Sequence, residues 1–136
     1  MLPPIIEFLK DKTVLILGFG REGKSTYNYM RKYLPQKMLG IADGKEQQID
    51  DKNTVSFFGE DYLSHMGDFD VVLKSPGISF AKVDVPDNTF VTCQTDLFMK
   101  YAPCKKIGVT GSKGKTTTST LTYKMLCAAG IDCELM

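Results

Sequence analysis

Short apolar runs alternate along the chain with segments of helical composition. Residues 13–17 (TVLIL) are apolar after the first threonine and rich in branched side chains, which is typical of a strand buried on both faces of a parallel sheet. The same criterion predicts further strands at residues 37–42, 54–58, 70–73, 90–92 and 106–110, and the start of another at 131–136.

Four segments between these runs have the composition and length of helices. They are residues 25–34, 61–66, 95–101 and 115–129. Prolines follow the first and third of them, Thr95 is a candidate N-terminal cap, and Gly130 is a natural C-terminal cap. Residues 80–88 read as a loop. Strands that alternate with helices predict an α/β fold with a parallel sheet.

Composition and charge narrow the function classes. The formal net charge is +1 and no basic run exceeds two residues, so nothing indicates a nucleic-acid partner. No apolar run approaches the roughly 20 residues that span a bilayer, and the N-terminus lacks the features of a secretory signal. We therefore expect a cytoplasmic protein without a membrane partner. The four cysteines have no CxxC spacing and His65 is the only histidine, so we expect neither a zinc site nor a Ser-His-Asp relay.

The first glycine loop, residues 18–25 (GFGREGKS), follows the first predicted strand and satisfies two patterns at once. It matches GxGxxG, whose glycines let a phosphate approach a helix N-terminus, and the Rossmann form of this loop needs an acidic residue after the second strand, where Asp43 stands. It also matches GxxxxGKS, which would put Lys24 on phosphates and Ser25 on Mg²⁺. We favour the Rossmann-like interpretation, and a glycine turn without any ligand remains an alternative.

The second glycine loop, residues 108–118 (GVTGSKGKTTT), predicts a site for the phosphates of ATP. A strict GxxxxGK[ST] string would need glycine where Val109 stands. The chemistry still fits, because Gly111 and Gly114 permit a tight turn before a helix whose first residue is Lys115. Its ammonium can reach phosphate oxygens, and Thr116 can place a hydroxyl on Mg²⁺.

These features resemble the Mur ligases, the amide-forming enzymes of peptidoglycan precursor synthesis in cell-wall biogenesis. GVTGSKGKTTT is similar to the family's ATP loop, with Lys113 in place of the usual asparagine. GFGREGKS, Asp43, SPGI at 75–78 and TDLF at 95–98 resemble the branch that adds D-glutamate. The resemblance implies a Rossmann-like UDP-substrate domain at residues 1–103, followed at 104–136 by the truncated start of a central P-loop ATPase-type domain.

The resemblance also implies roles for matched positions. The UDP part of the substrate, rather than NAD, would contact Gly18, Phe19, Gly20, Arg21, Glu22, Gly23, Asp43, Gly44, Ser75 and Gly77. ATP would contact Gly111, Ser112, Lys113, Gly114, Lys115, Thr116 and Thr117. Lys115 would be the catalytic residue, and Thr116 would be a ligand of Mg²⁺.

The implied activity is ATP-dependent addition of D-glutamate to UDP-N-acetylmuramoyl-L-alanine through an acyl phosphate, by a monomeric enzyme that uses Mg²⁺. The family residues that complete the magnesium sites lie beyond position 136, so we expect the chain by itself not to catalyse ligation. Alternatives are another Mur ligase or a folylpolyglutamate synthase-like ligase, which share the ATP loop. An NAD-dependent oxidoreductase would explain GFGREG and Asp43 but not the second loop.

Overall fold

The computed structural model describes residues 1–81 and 83–135, and the chain divides into two compact units, Met1–Pro103 and Cys104–Met136. The first unit contains a five-stranded parallel sheet with the strand order β3-β2-β1-β4-β5. Its strands are β1 (Val14–Leu17), β2 (Leu39–Asp43), β3 (Thr54–Phe58), β4 (Val71–Lys74) and β5 (Phe90–Thr92). Its helices are α1 (Pro4–Leu9), α2 (Arg21–Tyr33) and α3 (Gln94–Tyr101), with a 3-10 turn at Met66–Asp68. The second unit contains α4 (Lys115–Ala128).

The central strand β1 determines where the connections of the sheet lead. It pairs with β2 on one side and with β4 on the other, so that Leu17 lies opposite both Ala42 and Lys74. The chain moves outward from β1 to β2 and β3, and then returns to the far side of β1 for β4 and β5. The carboxyl ends of β1, β2 and β4 are therefore level with one another at one edge of the sheet.

The two faces of the sheet are covered differently. On one face α1, α2 and α3 bury Ile6, Leu9, Met30 and Leu97 against Val14, Leu39, Val71 and Leu73. The opposite face buries Leu15, Leu17, Ala42, Met66 and Val72 beneath half-buried side chains that include Tyr62, Phe69, Ile78 and Phe80. Every residue of β1 is buried, and each buried Leu, Ile or Val side chain stabilises the fold by about 1.5–3 kcal/mol.

A cluster of polar groups ties α2 to the connection between β2 and β3. The Asp51 carboxylate accepts hydrogen bonds from the Tyr27 hydroxyl, from Arg31 Nε at 2.6 Å and from Thr54 Oγ1 at 3.0 Å. Arg31 also donates to the Asn53 carbonyl at 2.8 Å. The hydrogen bonds to Asp51, first from the Tyr27 hydroxyl and next from the Asn53 amide, hold the pKa of this carboxyl well below its usual range.

The α/β class and the Rossmann-like parallel sheet are confirmed, and all five strands predicted between residues 13 and 92 are present, with bounds shifted by at most two residues. The loop prediction for 80–88 holds at 80–81 and 83–88, since residue 82 lies outside the described residues. Helix α2 begins at Arg21, inside the glycine loop, rather than at residue 25. Helix α1 was not predicted, although Pro4 at its first position is a recognised start signal.

Three predicted elements of the chain are wrong. Residues 61–65 form turns instead of an α-helix and Met66 begins the 3-10 turn, because Ser64 donates both its hydroxyl and its amide to the Asp61 carbonyl. Residues 106–110 and 131–135 are not strands, and residue 136 lies outside the described residues. A strand needs a neighbour for its backbone groups, and the described part of the second unit contains no strand. The start of a P-loop ATPase-type domain therefore stays a prediction.

Helix ends follow from local chemistry. The sulfur of Cys93, rather than Thr95, caps α3 by accepting from the Asp96 amide at 3.5 Å. Helix α4 closes in a Schellman arrangement, in which the Gly130 amide bonds the Cys127 carbonyl and the Ile131 amide bonds the Leu126 carbonyl. The predicted cap at Gly130 is confirmed, with φ of +75°. Within the described ranges, no helix is both long enough and apolar enough to cross a membrane.

Candidate functional site

The strand order reverses between β1 and β4, whose carboxyl ends lie side by side at the edge of the sheet where open α/β folds form their ligand crevice. The connections that follow these two strands lead away from each other, which in open α/β sheets creates the place where ligands bind. Gly18 follows β1, Asp43 ends β2 and Ser75 follows β4. The structure thus brings together three of the positions that the sequence assigns to the UDP-substrate site.

The three glycines of the first loop have different structural roles. Gly18 has φ of +91°, and a side chain there would lie 2.9 Å from atoms of Ser75 and Ile78. A Cβ on Gly20 would have no atom within 4 Å, so the backbone at the N-terminus of α2 is open to approach. A Cβ on Gly23 would lie 2.0 Å from the Gly18 carbonyl oxygen, so this glycine allows the helix to pack on the loop. These are the turn, ligand-approach and packing roles of a Rossmann loop.

Asp43 organises the same loop from β2. Its Oδ2 accepts the Phe19 amide at 2.6 Å and its Oδ1 accepts the Lys45 amide at 2.9 Å. A carboxylate has about four acceptor positions, so Asp43 retains capacity for a further donor beyond these two backbone groups. The structure gives this residue a role in holding the loop, and its predicted contact with the UDP part of the substrate stays a prediction.

Ser75 joins β4 to the loop after β1. Its hydroxyl donates to the Gly18 carbonyl at 3.1 Å, and its amide donates to the Leu17 carbonyl at 2.9 Å. The hydroxyl proton is therefore engaged within the protein, and Ser75 positions the edge of the crevice. Gly77 lies exposed in the turn that follows, with no atom within 4 Å of a Cβ placed on it.

Gln94 is a residue of this region that the sequence did not single out. Its side-chain amide donates to the Glu22 carbonyl at 3.1 Å and to Thr26 Oγ1 at 2.6 Å, which ties the start of α3 to the first turns of α2. Gln94 comes two positions after β5. Its position near the carboxyl end of a predicted strand could have identified it from the sequence as a residue of the site. Arg21, at the start of α2, is exposed, and Glu22 is half-buried.

The second loop lies in the other unit and ends in the N-terminus of α4. Gly111 and Gly114 have φ of +150° and +77°, so both occupy conformations that favour glycine. The Lys115 ammonium folds back over this turn and donates to the Gly111 carbonyl at 2.6 Å. Residues 111–118 are all exposed.

The charge around this loop suits an anion. The first turn of α4 contains no acidic residue, and the positive end of the helix dipole lies beside Lys113 and Lys115. Few side chains near this loop could act as metal ligands. No group of three or more His, Cys, Asp or Glu side chains within 1–81 and 83–135 could hold one. Thr116 would therefore supply only part of a magnesium site.

Comparison with known proteins shows which proteins this chain resembles in sequence. No model of a known protein family matches the chain. The UDP-N-acetylmuramoylalanine–D-glutamate ligase of Clostridium acetobutylicum is 34% identical in an alignment of 136 positions that covers 92% of this chain and 29% of that enzyme. The corresponding ligases of Clostridium kluyveri and Clostridium botulinum are each 30% identical over 91% of this chain and 29% of their own length.

The fold and the first loop define a Rossmann-like α/β domain. The sequence matches then confirm the resemblance to the Mur ligases, and the chain is a homologue of their D-glutamate-adding branch. The chain spans about 29% of the length of the curated relatives it matches.

Proposed function

We propose that this chain is the UDP-substrate-binding part of an ATP-dependent ligase that adds D-glutamate to UDP-N-acetylmuramoyl-L-alanine. The observation that carries the proposal is the glycine loop at the reversal of strand order, in a chain related over nine-tenths of its length to enzymes named for this reaction. The loop would receive the diphosphate at the N-terminus of α2, where Gly20 leaves the backbone open to approach. Asp43 and Gly44 would face the uracil, and Ser75 and Gly77 would border the diphosphate.

The second loop supports an ATP-dependent step. Lys115 would exchange its hydrogen bond to the Gly111 carbonyl for phosphate oxygens, and the amides and hydroxyls of residues 111–117 would surround them. Bound Mg²⁺, with Thr116 as one ligand, would neutralise charge on the phosphates. In the whole enzyme the substrate carboxylate would take the γ-phosphoryl group of ATP with release of ADP. The D-glutamate amine would then displace phosphate from the acyl phosphate to form the amide. Such an enzyme would work in the cytoplasm, and we expect it to be monomeric.

An NAD-dependent oxidoreductase is the rival from another class. The three glycine roles and the acidic residue after β2 suit a dinucleotide as well as a uridine nucleotide. This rival gives no account of residues 108–118, and the relatives found do not favour it.

A thermal-shift comparison of the 136-residue chain with UDP-N-acetylmuramoyl-L-alanine, NADH and MgATP tests the proposal. A ligand at about 100 times its Kd adds about 2.7 kcal/mol of stability, which raises Tm by roughly 10 °C in a domain of this size. We expect the UDP substrate to raise Tm and NADH to leave it unchanged. Stabilisation by NADH alone would refute the ligase interpretation.

A further inference from the structure

Lys74 ends β4 at the mouth of the crevice. It lies opposite Leu17 in the register of the sheet, one residue before the glycine loop on β1 and one residue before Ser75 on β4. The side chain is half-buried. Lys74 is therefore at the carboxyl end of a strand, beside the point where the strand order reverses. Ligands of open α/β sheets bind at this position.

Among the described residues, no carboxylate forms an ion pair with the Lys74 ammonium. Nζ donates to the Ser75 carbonyl at 3.2 Å and lies 5.4 Å from the centre of the Phe80 ring. The ion pairs among the described residues involve Lys10, Arg31 and His65, and none involves Lys74. An ammonium has three donors, and a half-buried cation without a carboxylate partner is a favourable contact for an anion.

The other cations of this loop, Arg21 and Lys24, are exposed side chains of α2. The remaining neighbours of Lys74 at the strand ends offer no positive charge. The Ser75 hydroxyl donates to Gly18, and the Asp43 carboxylate is itself negative and accepts two backbone amides. The backbone at Gly20 supplies amide dipoles rather than a full charge. A diphosphate at this loop would therefore gain most from a nearby side-chain cation.

We propose that Lys74 is a further substrate-binding residue, whose ammonium contacts the diphosphate of the uridine nucleotide. This inference rests on the proposed function, since it adds a charged contact to the same site. The flexible stem lies against Phe80, and the ammonium moves from the Ser75 carbonyl to a phosphate oxygen. Because the ammonium contacts the phosphates and not the base, loss of Lys74 should weaken the binding of UDP but not that of uridine.

The test is isothermal titration of the 136-residue chain with UDP and with uridine. Lys74→Met keeps the apolar stem against Phe80 and removes the charge. We expect it to weaken UDP binding by about tenfold or more, because a charge-assisted hydrogen bond is lost, and to leave uridine binding unchanged. Lys74→Arg should restore most of the UDP affinity. The rise of the UDP Kd with salt should be shallower in Lys74→Met than in the unaltered chain.

Lys32→Met is the matched control. Lys32 is an exposed lysine in the last turn of α2, and its ammonium lies 5.2 Å from the Tyr33 ring, much as Lys74 lies by Phe80. The last turn of α2 leads towards the amino end of β2, away from the crevice. This variant should bind UDP like the unaltered chain.

The outcomes separate the two proposals. If the unaltered chain does not bind UDP, the proposed function fails and the inference fails with it. If it binds UDP and Lys74→Met binds equally well, only the role of Lys74 is overturned. Equal losses for UDP and uridine would show that Lys74 supports the turn at Ser75 instead of contacting phosphate. If Lys74→Met does not fold, the Lys74→Arg titration decides, and loss of UDP binding in that folded variant would overturn the proposal.

Discussion

Replacing Gly23 with alanine should break the contact between α2 and the first loop. Gly23 is the third residue of the helix and is buried. A Cβ there would lie 2.0 Å from the Gly18 carbonyl oxygen and 3.0 Å from its carbon. Because real Cβ contacts essentially never fall below 3.0 Å, the helix and the loop would have to separate by about 1 Å. Both obstructing atoms belong to the backbone, which cannot rotate away as a side chain would.

The cost follows from two opposing effects. Overpacking a filled site costs about 1–3 kcal/mol, and a rigid backbone neighbour argues for the upper end. Alanine in place of glycine regains about 1 kcal/mol of helix propensity. The net loss is about 2 kcal/mol, and since each kcal/mol lowers Tm by about 4–8 °C in a domain of this size, Tm should fall by on the order of 10 °C.

Thermal and urea unfolding followed by circular dichroism would measure this loss. The control is Gly77→Ala, at an exposed glycine with no atom within 4 Å of the added Cβ, which should change stability by no more than about 0.5 kcal/mol. If Gly23→Ala proved as stable as Gly77→Ala, the packing role assigned to Gly23 would be refuted.

Four further substitutions test other contacts. Asp51→Asn should cost about 3 kcal/mol at neutral pH by breaking the bonds to Tyr27 and Arg31. Because the folded pKa of Asp51 is depressed, its contribution is complete above about pH 4 and is lost as pH falls further, so urea unfolding at several pH values should show the difference shrinking in acid. Gly20→Ala should keep the fold but raise the UDP Kd by about tenfold in titrations, since its Cβ occupies the approach to α2. In the full-length enzyme, Lys115→Ala should abolish ATP-dependent phosphate release, whereas Lys24→Ala should mainly alter affinity for the UDP substrate.

Each of these tests has a comparison variant. Asp50→Asn changes an exposed carboxylate next to Asp51, and equal stability of the two variants would contradict the role of the cluster. Gly108 lies in the second unit, and a Cβ added there has no atom within 4 Å. If Gly108→Ala bound UDP as weakly as Gly20→Ala does, the effect of Gly20→Ala would not be local. If Lys24→Ala abolished ATP use while Lys115→Ala did not, the roles of the two loops would be reversed.

The apolar pattern predicted the sheet well because burial on both faces leaves strands few alternatives. Residues 13–17 and 70–73 lie within one position of β1 and β4, whose residues are all buried apart from the half-buried Lys74. The same pattern failed at residues 106–110, where KIGVT has the composition of a strand but the described part of its unit offers no partner strand. Composition measures how well a segment suits a sheet, whereas pairing depends on another segment.

Helix bounds were predicted less accurately, because glycine and serine occur both at the ends of helices and in turns. Gly20 and Gly23 lowered the expected helicity of the first loop, yet the chain enters α2 at Arg21. Residues 61–66 have helical composition, yet Ser64 returns its hydroxyl to the Asp61 carbonyl and the segment turns. In residues 61–66 a local competition between hydrogen bonds decided the outcome.

By itself, the sequence determined the α/β class, the glycine loop after β1 and the relationship to the Mur ligases, because each depends on the order of residue types over a short stretch. Only the tertiary structure decided what the site residues touch. Asp43 reaches the Phe19 amide across 24 positions, and Ser75 reaches the Gly18 carbonyl across 57. Those contacts exist because parallel pairing brings the carboxyl ends of β1, β2 and β4 to one edge. No local pattern encodes that alignment, since it depends on how separate segments bury their apolar faces together.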